Sequence, residues 1–321
     1  MTVDDLLRDL DQEISILQSP GFSVDVTETS SAPTDSDPSL TFEDFDRTSK
    51  KVKVVETCAL YVDIRRSTKL NLDHHKETMA KLYSSFIRGM IRATEQFNGK
   101  VRNVAGDRIM VVFDCANCFE DSVNTAALMN TVSQQIINRR FDHDDFKCGI
   151  GIDYGKMMVV KCGTIKYRRE NSNYKSLVWL GKPANVASKL TDAANQPSTS
   201  VPKDGLQVGF CYPATGQWSW RFQTTQEFID SLEFTRTPNM RYKNQFFYTC
   251  FAGTEYTANY DSTPPILVTA TVYEGLKRTN PDHYSIKNRQ QWRKVCRKIP
   301  GCPVPVYGAN LILGGGKWKI D

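Results

Sequence analysis

No apolar run in this 321-residue chain is long enough to span a bilayer, which takes about 20 consecutive apolar residues. Residues 1–17 are acidic and lack the basic start of a secretory signal. The chain is therefore read as cytoplasmic, with no membrane partner. A disulfide framework is missing too. The nine cysteines are odd in number and irregularly spaced, which suits reduced thiols. Cys115 and Cys118 form a CxxC with no second pair, so a structural zinc site is not supplied and both are read as filler. There is also no long Lys/Arg run, and Val101–Val104 and Lys147–Ile150 lack the surface aromatics of an RNA-reading sheet. No nucleic-acid partner is expected.

What is present is an uneven charge distribution. The net charge is +5, but residues 1–50 hold 12 acidic and 3 basic side chains, a net of −9, which leaves +14 on the rest. A basic body suits a polyphosphate ligand as well as it suits nucleic acid.

Leu6, Leu7, Leu10, Ile14 and Leu17 repeat at helical spacing and predict an amphipathic helix that docks on the body or pairs between subunits. Residues 19–41 are rich in Ser, Thr, Pro and Asp and read as a flexible linker. The domain reading is 1–50 helix and acidic linker, 51–200 ordered core, and 201–321 a small mixed C-terminal domain.

Within the core, residues 52–64 read as a strand and 72–97 as a helix closed by Asn98-Gly99. Residues 100–104 and 108–113 read as strands joined by the tight turn Ala105-Gly106-Asp107. A second helix covers 117–139. Residues 147–153 and 156–162 read as a hairpin through Tyr154-Gly155, followed by a short strand at 176–180 and a helix opened by Pro183. Hairpins alternating with helices predict an α+β sandwich of ferredoxin-like type.

Two acids carry the chemical interest. Asp63 ends an apolar strand, and Asp107 sits in a hairpin turn that sheet topology can lay beside that strand. Paired carboxylates repel unless a cation holds them. Mg²⁺ and Mn²⁺ prefer oxygen ligands and share them with substrate phosphates. From spacing alone, Asp63 could equally cap the following helix and Asp107 merely serve the turn.

Four pieces, in order between about 55 and 195, resemble the class III adenylyl/guanylyl cyclase catalytic domain. Tyr61-Val62-Asp63-Ile64-x-x-Ser67-Thr68 resembles its first metal motif and Ala105-Gly106-Asp107 its second. Gly149-Ile150-Gly151-Ile152-x-x-Gly155 resembles its central hairpin, and Gly181 to Leu190 its Val-Asn-x-Ala-Ser-Arg motif. The resemblance implies a nucleotide cyclase, a phosphorus–oxygen lyase with two Mn²⁺ or Mg²⁺ ions per site. Asp63, Asp107 and the Ile64 carbonyl would bind metal. Asn185 would orient the ribose, and Lys189 stands where the family has an arginine that stabilises the transition state. A lysine keeps that charge without the planar fork. Arg65 and Arg66 are candidates for the triphosphate or for a solvated face. The implied assembly is a homodimer with active sites at the interface, the aspartates coming from one chain and Asn185 and Lys189 from the other.

The base-reading positions fall at Asn103 and near Val178 and match neither the adenine nor the guanine pattern. Tyr61 and Ser67 complete the candidate nucleotide pocket. Asn103 offers a donor and an acceptor. These departures resemble the bacterial pyrimidine cyclases of the Pycsar antiphage systems, with residues 205–321 as a sensor-like module. The expectation is conversion of UTP to cyclic UMP in antiphage defence, with a separate cyclic-nucleotide-gated effector reading the product. Cytidylate cyclase, purine cyclase and a non-catalytic nucleotide sensor stay open as alternatives.

Overall fold

Residues 49–64 form one strand of sixteen residues around which the rest of the fold is laid. The computed structural model describes residues 2–141, 146–166, 169–202, 205–234, 240–244, 250–253, 257–287 and 291–314. In chain order the elements begin with α1 (Val3–Leu17), β1 (Ser23–Thr29), β2 (Ser49–Ile64), α2 (Ser67–Asp73) and α3 (Lys76–Gln96). They continue with β3 (Lys100–Ala105), β4 (Arg108–Val112), α4 (Cys118–Thr131), α5 (Asn138–Arg140), β5 (Cys148–Lys166), β6 (Arg169–Leu180) and α6 (Lys182–Ala193). After a further segment come β7 (Thr199–Pro202), β8 (Leu206–Tyr212), β9 (Gln217–Gln223), α7 (Thr225–Asp230), β10 (Leu232–Phe234), β11 (Met240–Tyr242), β12 (Cys250–Gly253) and β13 (Thr257–Tyr260). The chain ends with β14 (Ile266–Thr269), α8 (Ala270–Thr279), α9 (Tyr284–Lys287), β15 (Arg293–Lys294) and β16 (Val306–Ala309).

Among the described residues the main sheet has nine strands in the order β15-β16-β14-β5-β2-β4-β3, with β1 also beside β2 and β6 also beside β5. β2 is long enough to change partner along one edge. Its C-terminal part pairs with β4, from Ala59↔Val112 to Val62↔Ile109. Its N-terminal part pairs in parallel with β1, from Ser23↔Ser49 to Thr29↔Val55.

Strand alternation sorts the side chains onto two faces. Cys58, Leu60, Val62, Ile64, Ile109, Val111, Ile150 and Ile152 pack against the buried sides of α3, α4 and α8, including Phe86, Met90, Phe119 and Val272. The opposite face carries Val55, Ala59, Met110, Val112, Met157 and Val159 beneath Ala184 and Ala187 of α6. This is the α+β layering expected, with helices on both faces.

Three details correct the sequence reading. Residues 19–41 are not a free linker. β1 takes its ladder from β2, Ala32 and Leu40 are buried on the α6 face, and Asp37 pairs with Lys53 at 2.6 Å. Backbone pairing tolerates the polar residues of β1, whose side chains stay mostly exposed. The expected hairpin through Tyr154-Gly155 is instead the middle of β5, because both residues pair with β2, as Cys58↔Tyr154 and Thr57↔Gly155. The boundary near 201 also divides the chain differently. Residues 1–196 and 263–321 form one compact unit and 197–262 another. The apolar run Ile266–Thr269 is a fully buried strand that pairs in parallel with β5, which returns the chain to the main sheet.

The insertion leaves and returns at adjacent points. The Thr263 N–H donates to the Gln196 carbonyl and the Gln196 N–H to the Thr263 hydroxyl, both at 2.9 Å. By itself the 197–262 unit contains β8 between β9 and β12, with Trp218 and Trp220 stacked and largely exposed on β9. Helix α1 carries a capping box from Thr2 and Asp5 and buries none of its residues. Cys58, Cys115, Cys118, Cys148, Cys162, Cys211, Cys296 and Cys302 are free thiols. No helix among the described residues is long and apolar enough to cross a membrane.

Candidate functional site

The strand register builds the site. Tyr61 lies opposite Met110 and Val62 opposite Ile109, so one further step sets Arg108 across from Asp63. Gly106 takes a left-handed φ of 62° in the β3–β4 turn and delivers Asp107 to the same corner. On its other side Asp63 pairs with Gly149 of β5.

The glycines of the Gly149-Ile150-Gly151 segment have a packing role. A Cβ on Gly151 would lie 2.3 Å from the Ala187 carbonyl oxygen and 2.5 Å from the Thr191 nitrogen. One on Gly149 would lie 2.7 Å from both the Arg65 guanidinium and the Thr191 carbonyl. Their absence lets the backbone of α6 lie directly on the sheet beside Asp63. Ala187, Leu190 and Val186 complete the contact, and each fully buried side chain of Leu or Val size stabilises by about 1.5–3 kcal/mol.

The carboxylates are adjacent and only partly satisfied. Asp63 Oδ1 and Asp107 Oδ2 are both buried without a hydrogen-bond partner. Burial raises the Asp63 carboxyl above its ordinary value. The hydrogen bond from Arg108 opposes that shift, and the neighbouring Asp107 charge adds to it. Buried polar oxygens are almost always paired, so two orphaned oxygens on facing carboxylates mark a place for a cation. Oxygen donors of this kind suit Mg²⁺ or Mn²⁺. Among the described residues no group of three or more His, Cys, Asp and Glu side chains is assembled. The residues present therefore fit ions that take their remaining ligands from water and substrate phosphates.

Arg108 is the residue that the sequence reading missed. Its Nε and Nη2 donate to Asp63 Oδ2 at 3.1 and 2.6 Å, and its Nη1 donates to the Ser188 hydroxyl at 2.8 Å. Nη2 also pairs with Asp192 on α6. Arg65, a candidate for the triphosphate, instead donates to the Asp192 and Thr191 carbonyls at 3.0 and 2.6 Å. It closes the C-terminal end of α6, where cations are favoured. Arg66 is exposed, with a left-handed φ of 57° ahead of α2.

The other candidates separate. Asn103 and Tyr61 both pair with Met110, so the three share a cross-strand row on the face that carries Asp63. Asn103 is exposed and Tyr61 half-buried. Val178 pairs with Val160 and points to the opposite face, while its neighbours Leu177 and Trp179 pack on the site face. The strand alternation thus moves the site-facing position off Val178. Ile64 is buried at 3% exposure, and Ser67 is the first residue of α2. Asn185 and Lys189 are exposed on α6, and neither makes a hydrogen bond or ion pair with Asp63 or Asp107. The Lys189 side chain lies against Gly301, where a Cβ would meet its Nζ at 2.1 Å. It lines a cleft of about 460 Å³ with Asp192, Arg297, Lys298 and Ile299.

The family described as "Adenylate and Guanylate cyclase catalytic domain" matches residues 50–219. A uridylate cyclase from Gulbenkiania mobilis is 29% identical over 167 residues, covering 48% of this chain and 63% of its own length. A uridylate cyclase from Propioniciclava tarda is 27% identical over 150 residues, covering 45% of this chain and 47% of its own. A cytidylate cyclase from Staphylococcus aureus is 27% identical over 160 residues, covering 47% of this chain and 35% of its own. The chain thus spans less than two thirds of the length of each of these relatives.

Proposed function

Since this chain belongs to the adenylate and guanylate cyclase catalytic-domain family, we propose that it is a pyrimidine nucleotide cyclase, converting UTP to 3′,5′-cyclic UMP and pyrophosphate. The observation that carries the reading is the facing pair Asp63 and Asp107, each with a buried oxygen lacking a partner. The pyrimidine preference is supported by the uridylate and cytidylate cyclases among the relatives. It is supported further by Asn103, whose amide carries a donor and an acceptor in the same row as Tyr61.

In the reaction the ribose 3′-hydroxyl attacks the α-phosphorus in line. A new O–P bond forms, the bond to pyrophosphate breaks, and the hydroxyl proton is released. Asp63, Asp107 and the Ile64 carbonyl would hold two Mn²⁺ or Mg²⁺ ions, which would supply charge neutralisation and activation of the hydroxyl when bound. Tyr61 and Asn103 seat the base, with Ser67 beside the phosphates. Because Asn185 and Lys189 are exposed on α6, a second copy of the chain presents them to the first copy's carboxylates in a homodimer. There Asn185 orients the ribose and Lys189 offsets charge on the phosphates. The product serves as a second messenger in antiphage defence, read by a separate cyclic-nucleotide-gated effector. A rise in cyclic UMP after infection tests that role.

Lys189→Ala is expected to lower kcat by about 10²–10³-fold with a smaller rise in KM, because the charge it offsets grows in the transition state. Steady-state kinetics checks this, and a rise in KM with unchanged kcat would assign Lys189 to ground-state binding instead. The defining experiment incubates the protein with Mn²⁺ and each ribonucleoside triphosphate separately and resolves products by mass. Cyclic UMP is expected. Cyclic CMP would keep the class and change the base, a cyclic purine nucleotide would overturn the role given to Asn103, and nucleotide binding without product would favour a sensor.

A further inference from the structure

Arg108 follows Asp107 directly in the chain, yet its side chain serves the other carboxylate. It places two of its nitrogens on Asp63 Oδ2 and reaches past that residue to Ser188 and Asp192 on α6. The guanidinium is about one-third exposed and Asp63 only 15% exposed, so the pair is screened less than a surface ion pair. Arg108 is bonded to two carboxylates, those of Asp63 and Asp192, and the Asp107 charge neighbours Asp63. Asp63 Oδ1 and Asp107 Oδ2 stay buried and unpartnered.

We propose that Arg108 is a built-in counter-cation of the carboxylate pair, and that a divalent ion binds by displacing its guanidinium from Asp63. Two cations cannot share one carboxylate corner without repulsion, so every ion that binds does so against the Arg108 bond. The displaced guanidinium keeps Ser188 and Asp192 as partners, so it is not left buried without a counter-charge. Arg108 is thus a positioning residue that acts through Asp63. Filling the metal site and breaking the side-chain tie between β4 and β2 become one event, while the tie from β4 to α6 stays. This inference rests on the reading of Asp63 and Asp107 as metal ligands.

The test measures Mn²⁺ affinity of the full chain without nucleotide, by calorimetry or by loss of the free-ion electron paramagnetic resonance signal. The proteins compared are the wild type, Arg108→Ala, Arg108→Gln, Arg108→Lys and Asp63→Asn. Removing the competing charge is expected to tighten Mn²⁺ binding by about tenfold in Arg108→Ala. Arg108→Gln keeps donors for Ser188 and Asp192 without the charge and should tighten it similarly, so the test survives poor folding of the alanine variant. Arg108→Lys should stay near the wild type, because the charge remains. Mn²⁺ should also raise the Tm of Arg108→Ala more than that of the wild type. A purely structural tie between β4 and α6 predicts weaker or unchanged Mn²⁺ binding in both neutral variants. That result, with binding lost in Asp63→Asn, overturns the counter-cation role and leaves the metal site standing. Wild-type binding that Asp63→Asn does not alter overturns the metal site, and the proposal with it.

Discussion

Asp63→Ala and Asp107→Ala are each expected to lower cyclisation by at least about 10³-fold while the chain stays folded. Under the proposed two-ion reading, the activity loss follows from removing an oxygen ligand for ions that offset several kcal/mol of developing charge, at about 1.4 kcal/mol per tenfold. The retained fold follows from the bonding. Truncating Asp63 leaves the Arg108 guanidinium paired with Asp192 and bonded to Ser188, so no cation is stranded. Truncating Asp107 removes an oxygen that has no hydrogen-bond partner. Product formation at saturating Mn²⁺, measured beside thermal unfolding and size-exclusion profiles, separates the two effects. Undiminished product from either variant would remove the two-ion assignment.

Gly151→Val is expected to be the most damaging single change to the fold of the site, at about 3 kcal/mol or more. The atoms that its Cβ would meet at 2.3 and 2.5 Å belong to the backbone of α6, so no side chain can rotate away and the helix itself must shift. That helix carries Ser188 and Asp192 toward Arg108 and presents Asn185 and Lys189 on its exposed side. Activity should therefore fall along with stability. Gly106 offers the contrast, because a Cβ there meets nothing within 4 Å and only its left-handed φ of 62° resists substitution. Urea unfolding of both variants checks the ranking. A loss below about 1 kcal/mol for Gly151→Val would mean that α6 slides on the sheet without penalty.

The elements visible in the sequence are those whose periodicity is imposed by burial. α3 buries Met79, Leu82, Phe86 and Met90 at intervals of three and four, and that stripe is readable in any chain. β4 and the turn at Gly106-Asp107 are local in the same sense. What escaped the sequence depends on partners far along the chain. β1 has no apolar stripe, since it is held by backbone bonds to β2, and its Glu28 pairs with Lys156. β14 reads as a short apolar run until β5 is seen beside it. The pair Asp63 and Asp107 was legible because two local motifs each delivered one acid. Arg108 was not, because its importance rests on Ser188 and Asp192, 80 and 84 positions further along the chain. Val178 was misplaced for the simplest reason, since a one-residue step along a strand exchanges faces.

The reciprocal bonds between Gln196 and Thr263 make a doorway one residue wide on each side. Everything from 197 to 262 hangs from that frame, whose two posts are neighbours even without the span between them. Closely spaced ends of this kind tolerate changes of length in the segment between them. The doorway is also tied to α6 itself, since the Gln196 side-chain amide donates to the Asp192 carbonyl at 2.8 Å, at the helix end that Arg65 and Arg108 hold.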